Sequence, residues 1–324
     1  SAALVSTAAA ADPILPLSQV QPGMVGEART VVSGTQIVRF PVTVIAVDND
    51  RNPQTGGTTL GPAIIMRASG PLMAQTGGIA AGMSGSPVYV TGADGVQRVI
   101  GAISFGTGDE TNLTGGITPI EHMLQAGQVA ASKAPVTAAA LRPSRVVADA
   151  ATARQIERRN PAVRAFYPLR SWAVNGVSQR LMGRLSRAVG GGDQRRLVPV
   201  VRGPAIPQAP FEPGSSLSAQ LIGGDITVGA VGTTTYISDT REIYGFGHFF
   251  LGTGASQYML GGGWVHDVIP APITNGSYKL ADPGPVRGAI TRDQTTAVVG
   301  REGGLDAIEV VMRSVDKASG RRSE

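Results

Sequence analysis

The stretch best suited to covalent chemistry is Gly82-Met83-Ser84-Gly85-Ser86-Pro87, a serine held between glycines and closed by proline. A serine hydroxyl is a weak nucleophile until a base takes its proton. The glycines let the backbone turn tightly, so that the amides of Gly82 and Ser84 can converge on one spot and form an oxyanion hole. Proline then fixes φ and releases the chain into a strand. This is the equipment of acyl transfer, and it calls for a base. Histidine is the usual one, and the chain has three. His122 lies in a predicted helix, His266 in the strand-like Trp264-Val265-His266-Asp267, and His248 between Gly247 and Phe249 at the end of an apolar run. Glycines before His248 allow close backbone approach, and aromatics after it can exclude water. Three scattered histidines and no cysteine give no metal-ligand spacing, and no cofactor motif is present.

The elements around the serine are strands. Ala28–Val32, Val38–Val47 and Ile64–Ala68 read as strands, and Val88–Phe105 as a hairpin turning at Gly92-Ala93-Asp94-Gly95. Thr118-Pro119-Ile120-Glu121 predicts a helix start, with Thr118 as N-cap and Glu121 completing a capping box. Helices are predicted over 146–160 and 178–189, and strands return at Val228–Ile237, Ile243–Phe250, Val286–Ile290 and Thr296–Gly300. The organisation expected is a leader or extended arm (1–19), a serine-bearing β module plus helix (20–135), a partly helical arginine-rich insert (136–212), a histidine-bearing β module (213–312) and a tail (313–324).

Abundant glycine with few aromatics fits many short strands joined by tight turns. No apolar run approaches the ~18 residues of a membrane span. The start, through Ala8-Ala9-Ala10-Ala11-Asp12, reads like the end of a signal peptide with an Ala-x-Ala cleavage site, so an exported protein, periplasmic or extracellular, is expected. The net charge of +5 is uneven. Thirteen arginines in 142–202 face only Asp149, Glu157 and Asp193, so this stretch carries about +10 and the remainder about −5. Such a segment suits an acidic partner, here an envelope protein, although a solvated helical face accounts for the same charge. Its aromatics, Phe166, Tyr167 and Trp172, cluster instead of interleaving with the arginines, which argues against nucleic acid.

These blocks resemble the stage IV sporulation protein B peptidase family of chymotrypsin-like serine peptidases. The resemblance rests on Pro22-Gly23-Met24, Thr30–Gly34, Ile37–Val42, Thr76–Ile79 with Gly82–Pro87, Val99–Ala102, Gly116–Glu121, Pro213–Ser216, Gly224–Ile226, Gly232-Thr233, Phe246-Gly247-His248 and Gly288–Asp293. It implies a mainly β fold of two six-stranded, barrel-like modules, Ser84 as nucleophile, His248 as general base, and Ser104 as a hydroxyl near the triad. The Ser104-Phe105-Gly106 strand corresponds to the one that binds substrate in such enzymes. Gly78 maps to the floor of the specificity pocket and Gly106 and Gly108 to its walls, which implies a small or apolar side chain before the cut. In this chain the serine module precedes the histidine module, the reverse of sporulation members, as a circular rearrangement would give. Sporulation members carry an aspartate seven residues before the Thr-Gly-Gly block, where this chain has Ser69. Asp267 and Asp293 are then the candidate orienting acids, and a dyad oriented by water or a backbone carbonyl is the alternative.

Two function classes follow. One is a serine endopeptidase of narrow specificity that processes itself or an envelope partner. The other is a catalytically silent relative with a structural or assembly role in an envelope complex. An α/β-hydrolase elbow is excluded because Ser86 occupies its final glycine position.

Overall fold

Strand accounts for 50% of the chain and helix for 13%, which makes the fold mainly β as the sequence leads one to expect. The computed structural model describes residues 11–48, 62–108, 111–128, 150–159, 165–169, 171–189, 197–204, 209–271, 276–315 and 317–323. The first six strands are β1 (Val25–Val31), β2 (Ile37–Asp48), β3 (Ala63–Ala68), β4 (Ser86–Thr91), β5 (Gln97–Thr107) and β6 (Thr114–Pro119). They close into an antiparallel barrel in the order β4-β1-β2-β3-β6-β5, with β5 returning to β4. Three short strands follow: β7 (Phe166–Pro168), β8 (Trp172–Asn175) and β9 (Leu197–Pro199). The last six large strands are β10 (Ser216–Ile222), β11 (Thr227–Ile237), β12 (Ile243–Gly245), β13 (Gly254–Ile269), β14 (Tyr278–Gln294) and β15 (Ala297–Glu302). They bond into a second ring, β10-β13-β14-β15-β12-β11, closed by β10 on β11. Ring closure removes the open edges that would otherwise template aggregation.

Alternation along each strand fills the rings. Phe40, Val42, Val44, Ile64, Met66, Val88, Ile103 and Ile117 meet inside the first. Leu217, Phe246, Phe250, Leu260 and Ile290 meet inside the second, where Trp172 stacks on Phe250. Each such side chain contributes about 1.5–3 kcal/mol when fully buried. The predicted hairpin is β4–β5, turning through Gly95 at φ +75°, with Asp94 paired to Arg98 across the turn.

The expected helix start at Thr118 is corrected. Thr118 and Pro119 finish β6, and helix α2, after the short α1 (Pro71–Thr76), runs Ile120–Gln128. The Thr118 hydroxyl donates instead to the Gly247 carbonyl in the other ring (2.6 Å). The predicted strand 243–250 stops at Gly245, because Phe246 (φ +66°) and Gly247 (φ +67°) both turn left-handed. Helices α3 (Ala150–Arg159) and α4 (Gln179–Val189) supply the helical part of the arginine-rich stretch. Its strands divide between the rings: β7 pairs with β5 of the first, and β8 with β11 of the second. The N-terminal arm is tied to the first ring: the Leu15 amide donates to the Val99 carbonyl, the Val99 amide to the Pro13 carbonyl, and the Leu17 amide to Glu121. Among the described residues no helix is long and apolar enough to cross a membrane.

The rings meet at Gly85. A Cβ there would stand 2.0 Å from the Thr233 carbonyl oxygen and 2.6 Å from the Phe246 nitrogen, and φ is +92°. Gly85→Ala is therefore expected to cost at least about 2 kcal/mol, from backbone strain plus the clash. Gly95→Ala, whose turn faces open space, should cost only the strain of about 1 kcal/mol. Urea unfolding midpoints at unchanged m-value measure both.

Candidate functional site

Ser84 sits in the turn between Gly82 and β4. Gly82 (φ +92°) and Gly85 (φ +92°) give that turn its left-handed corners. Its frame is fixed on both sides. The Met83 amide donates to Ala80, the Gly85 amide to Ile103 and the Ser86 amide to Met83. Across the ring boundary, the Thr233 amide donates to the Ser84 carbonyl (2.8 Å) and the Thr235 hydroxyl to the Gly85 carbonyl (2.7 Å).

His248 belongs to the second ring, on the loop that follows β12. The Phe246 amide donates to the Thr233 carbonyl (3.3 Å), and left-handed Phe246 and Gly247 turn the chain immediately before the histidine. Gly247 presses on the first ring so closely that a Cβ would lie 1.9 Å from the Ser104 Oγ. The imidazole is fully buried, with the rings of Phe246 and Phe105 centred 5.8 and 6.1 Å away. Its Nδ1 is 2.7 Å from the Phe249 carbonyl oxygen. A carbonyl can only accept, so Nδ1 carries the proton and Nε2 offers its lone pair, the tautomer a general base requires.

The two candidate acids serve elsewhere. Asp293 is buried, and its carboxylate accepts from the amides of Phe250 (2.6 Å), Leu251 (2.7 Å) and Gly252 (2.7 Å). It thereby holds the loop that follows His248, and burial pushes its carboxyl upward against the pull of those amides. Asp267 is exposed, and its carboxylate accepts from the next amide, Val268 (2.7 Å). That carboxylate is engaged within its own strand. The partner on the His248 ring is thus a backbone carbonyl. Ser104 is fully buried and its hydroxyl donates to the Ala102 carbonyl (2.8 Å).

The remaining site residues divide. The Gly82 amide donates to the Leu169 carbonyl (3.1 Å), and the Leu169 amide to the Ser104 carbonyl (3.3 Å). Gly82 is therefore a donor already engaged by the chain itself. Gly106 lies under the Tyr167 ring, where a Cβ would be 2.4 Å from Cζ. Gly78, at φ +89°, backs onto Asn112 and Thr111 with no room for a side chain. Gly108 is a buried bend at the end of β5.

Lys279 was not a sequence candidate. It is buried behind the serine turn, with its stem 3.1 Å from where a Gly82 Cβ would stand, and Nζ donates to the Thr30 hydroxyl (2.9 Å). A longer contact to the Thr233 hydroxyl (3.5 Å) leads on to the Gly82 carbonyl (3.3 Å). The signal available was period-two alternation, which puts Lys279 on the inward face with Ala281. Burial without a carboxylate partner lowers its pKa to about 7. The unfolded chain, near the ordinary value, binds more protons between about pH 7 and 10.5, so stability rises with pH across that window. The penalty for charging Lys279 is fully present below it. Lys279→Met is expected to flatten the slope by up to about 1.4 kcal/mol per pH unit, measured by denaturant unfolding from pH 6 to 10.

No group of acidic or histidine side chains that could hold a metal ion occurs among the described residues. Comparison of the chain with protein-family models, with curated proteins and with solved structures found no match.

Proposed function

We propose that the chain is a serine endopeptidase of narrow specificity, with Ser84 as nucleophile and His248 as general base. The observation that carries the reading is the His248 ring, buried and held in the base tautomer by the Phe249 carbonyl, on a loop that begins at Phe246, which bonds to the same Thr233 as the Ser84 turn. In this reading Nε2 takes the Ser84 proton as Oγ attacks a peptide carbonyl. The tetrahedral oxyanion turns to the Ser84 and Gly82 amides, and the same imidazole returns the proton to the departing amine. Ser104 supports the histidine by packing against Gly247. The resemblance to the sporulation peptidase family and the alanine-rich start support an exported enzyme acting on protein substrates in the bacterial envelope. The arginine-rich composition of 142–202 suits an acidic partner there.

A fluorophosphonate probe is expected to label Ser84 in the folded protein, read by mass spectrometry of the modified peptide. Ser84→Ala should abolish labelling and His248→Ala should slow it at least about 100-fold. Folded protein that leaves the probe unreacted would instead be the catalytically silent form.

A further inference from the structure

We propose that the segment Ala165–Leu169 is the peptidase's own substrate, bound in register and cut on the carboxyl side of Leu169. The inference rests on the peptidase reading of Ser84 and goes beyond it by assigning the substrate and the bond.

The placement follows from strand geometry. The upper half of β5 continues past the end of β4, because Ser86 pairs with Ile103 and the serine turn occupies the next positions. β7 fills the edge left open there, pairing antiparallel with Phe105↔Pro168, Gly106↔Tyr167 and Thr107↔Phe166. Strand addition is a common way for a peptide to bind a protein edge. In an antiparallel pair alternate residues turn their N–H groups to the partner. Leu169 does so to the Ser104 carbonyl, and Tyr167 is the next in phase. Pro168, which has no N–H, falls at the position between them, where none is needed.

At the end of this ladder the Leu169 carbonyl receives the Gly82 amide at 3.1 Å. That is the separation expected between an oxyanion-hole donor and its oxygen, and Ser84 is two residues further along the same turn. A strand added only to cover an edge needs the ladder but not this last contact. The side chains are seated as well. Leu169 is 1% exposed and joins the apolar cluster that contains Ile79, Ala80 and Met83 of the serine turn. Phe166 meets Phe105 edge-on with centroids 6.3 Å apart, and Tyr167 lies over Gly106, which admits it only because it lacks a Cβ. The Leu169 side chain is thus seated in apolar surroundings.

The reaction balances with water as the only co-reactant. Ser84 Oγ bonds to the Leu169 carbonyl carbon as its proton passes to His248 Nε2. The carbon–nitrogen bond to Arg170 breaks, and that nitrogen takes the proton. Water then gives its proton to His248 and its oxygen to the acyl carbon, releasing Ser84 and leaving a Leu169 carboxylate and an Arg170 amine. Arg170 itself lies outside the described residues.

The test is a time course of the purified full chain, wild type and Ser84→Ala, by intact mass and N-terminal sequencing, with Ser84 labelled in parallel by fluorophosphonate. Wild type is expected to yield a new N-terminus at Arg170 and a partner fragment ending at Leu169, while Ser84→Ala stays whole. Leu169→Asp should slow the cut at least about 100-fold, as a charge enters an apolar pocket. If wild type stays whole, or is cut elsewhere, while Ser84 takes the probe, this inference fails and the peptidase reading stands. If Ser84 neither takes the probe nor cuts, both fail. A cut at Leu169 that persists in Ser84→Ala also overturns it, since another protease then makes it.

Discussion

The site depends on a backbone crossing that only a glycine allows. Thr233 of the second ring donates its amide to Ser84 and accepts from Phe246, while Gly85 lies against its carbonyl with no space for a methyl group. One residue of β11 therefore sets both the height of the serine turn and the start of the loop that delivers His248. A shift of either ring would break hydrogen bonds that are buried, and an unmet buried donor or acceptor costs about 1–3 kcal/mol. Thr118 and Ser104 add further links from the first ring to Gly247. Ser84 and His248 lie far apart in sequence, yet both are tied to this one seam through Thr233.

What the sequence could reveal follows the range of the interactions. Strands β2, β3 and β11 and the β4–β5 hairpin announce themselves by alternation and by the Asp-Gly turn, because those signals are local. The glycine-flanked serine is equally plain. Thr118-Pro119 misleads for a definite reason: its capping signature is real, but the Gly247 carbonyl competes for the hydroxyl and the strand keeps both residues. Strand 243–250 misleads likewise, because the two left-handed residues that aim His248 interrupt an apolar run that has no other break. Lys279 is one inward residue in a strand, and nothing local says what surrounds it. The arginine-rich stretch looks like one insert, since no local pattern tells that β7 belongs to the first ring and β8 to the second.

With the Phe249 carbonyl on Nδ1, the chemistry proposed for His248 differs less from that of an acid-backed histidine than residue identity alone suggests. An orienting carboxylate does two things: it fixes the tautomer, and its charge stabilises the imidazolium that forms during attack. The Phe249 carbonyl performs the first through its 2.7 Å contact with Nδ1. Most of the loss of about 10⁴ that accompanies removal of the acid is ascribed to the wrong tautomer, and that penalty does not arise here. For the second, the carbonyl offers a dipole in place of a charge. Asp293 acts one step away: by gathering the amides of Phe250, Leu251 and Gly252 it fixes the turn, so that the Phe249 carbonyl cannot rotate off the ring.

In the proposed peptidase, the covering of the site and the narrow specificity have one physical origin. Ser84 is 3% exposed and His248 is sealed, so a peptide from outside must first displace whatever occupies the edge of β5. The segment that does so is tethered, and a short tether holds its cargo at an effective concentration in the millimolar range. An outside peptide at lower concentration must therefore bind better than Phe-Tyr-Pro-Leu, with its ladder, its aromatic contact on Phe105 and its seated leucine. Cutting the chain after Leu169 does not by itself lift this barrier, because β7 keeps its ladder to β5 and remains packed against α3. Release needs β7 to peel away, and that strand is only three residues long. In the proposed peptidase that opening, more than the chemistry at Ser84, governs which peptides reach the serine.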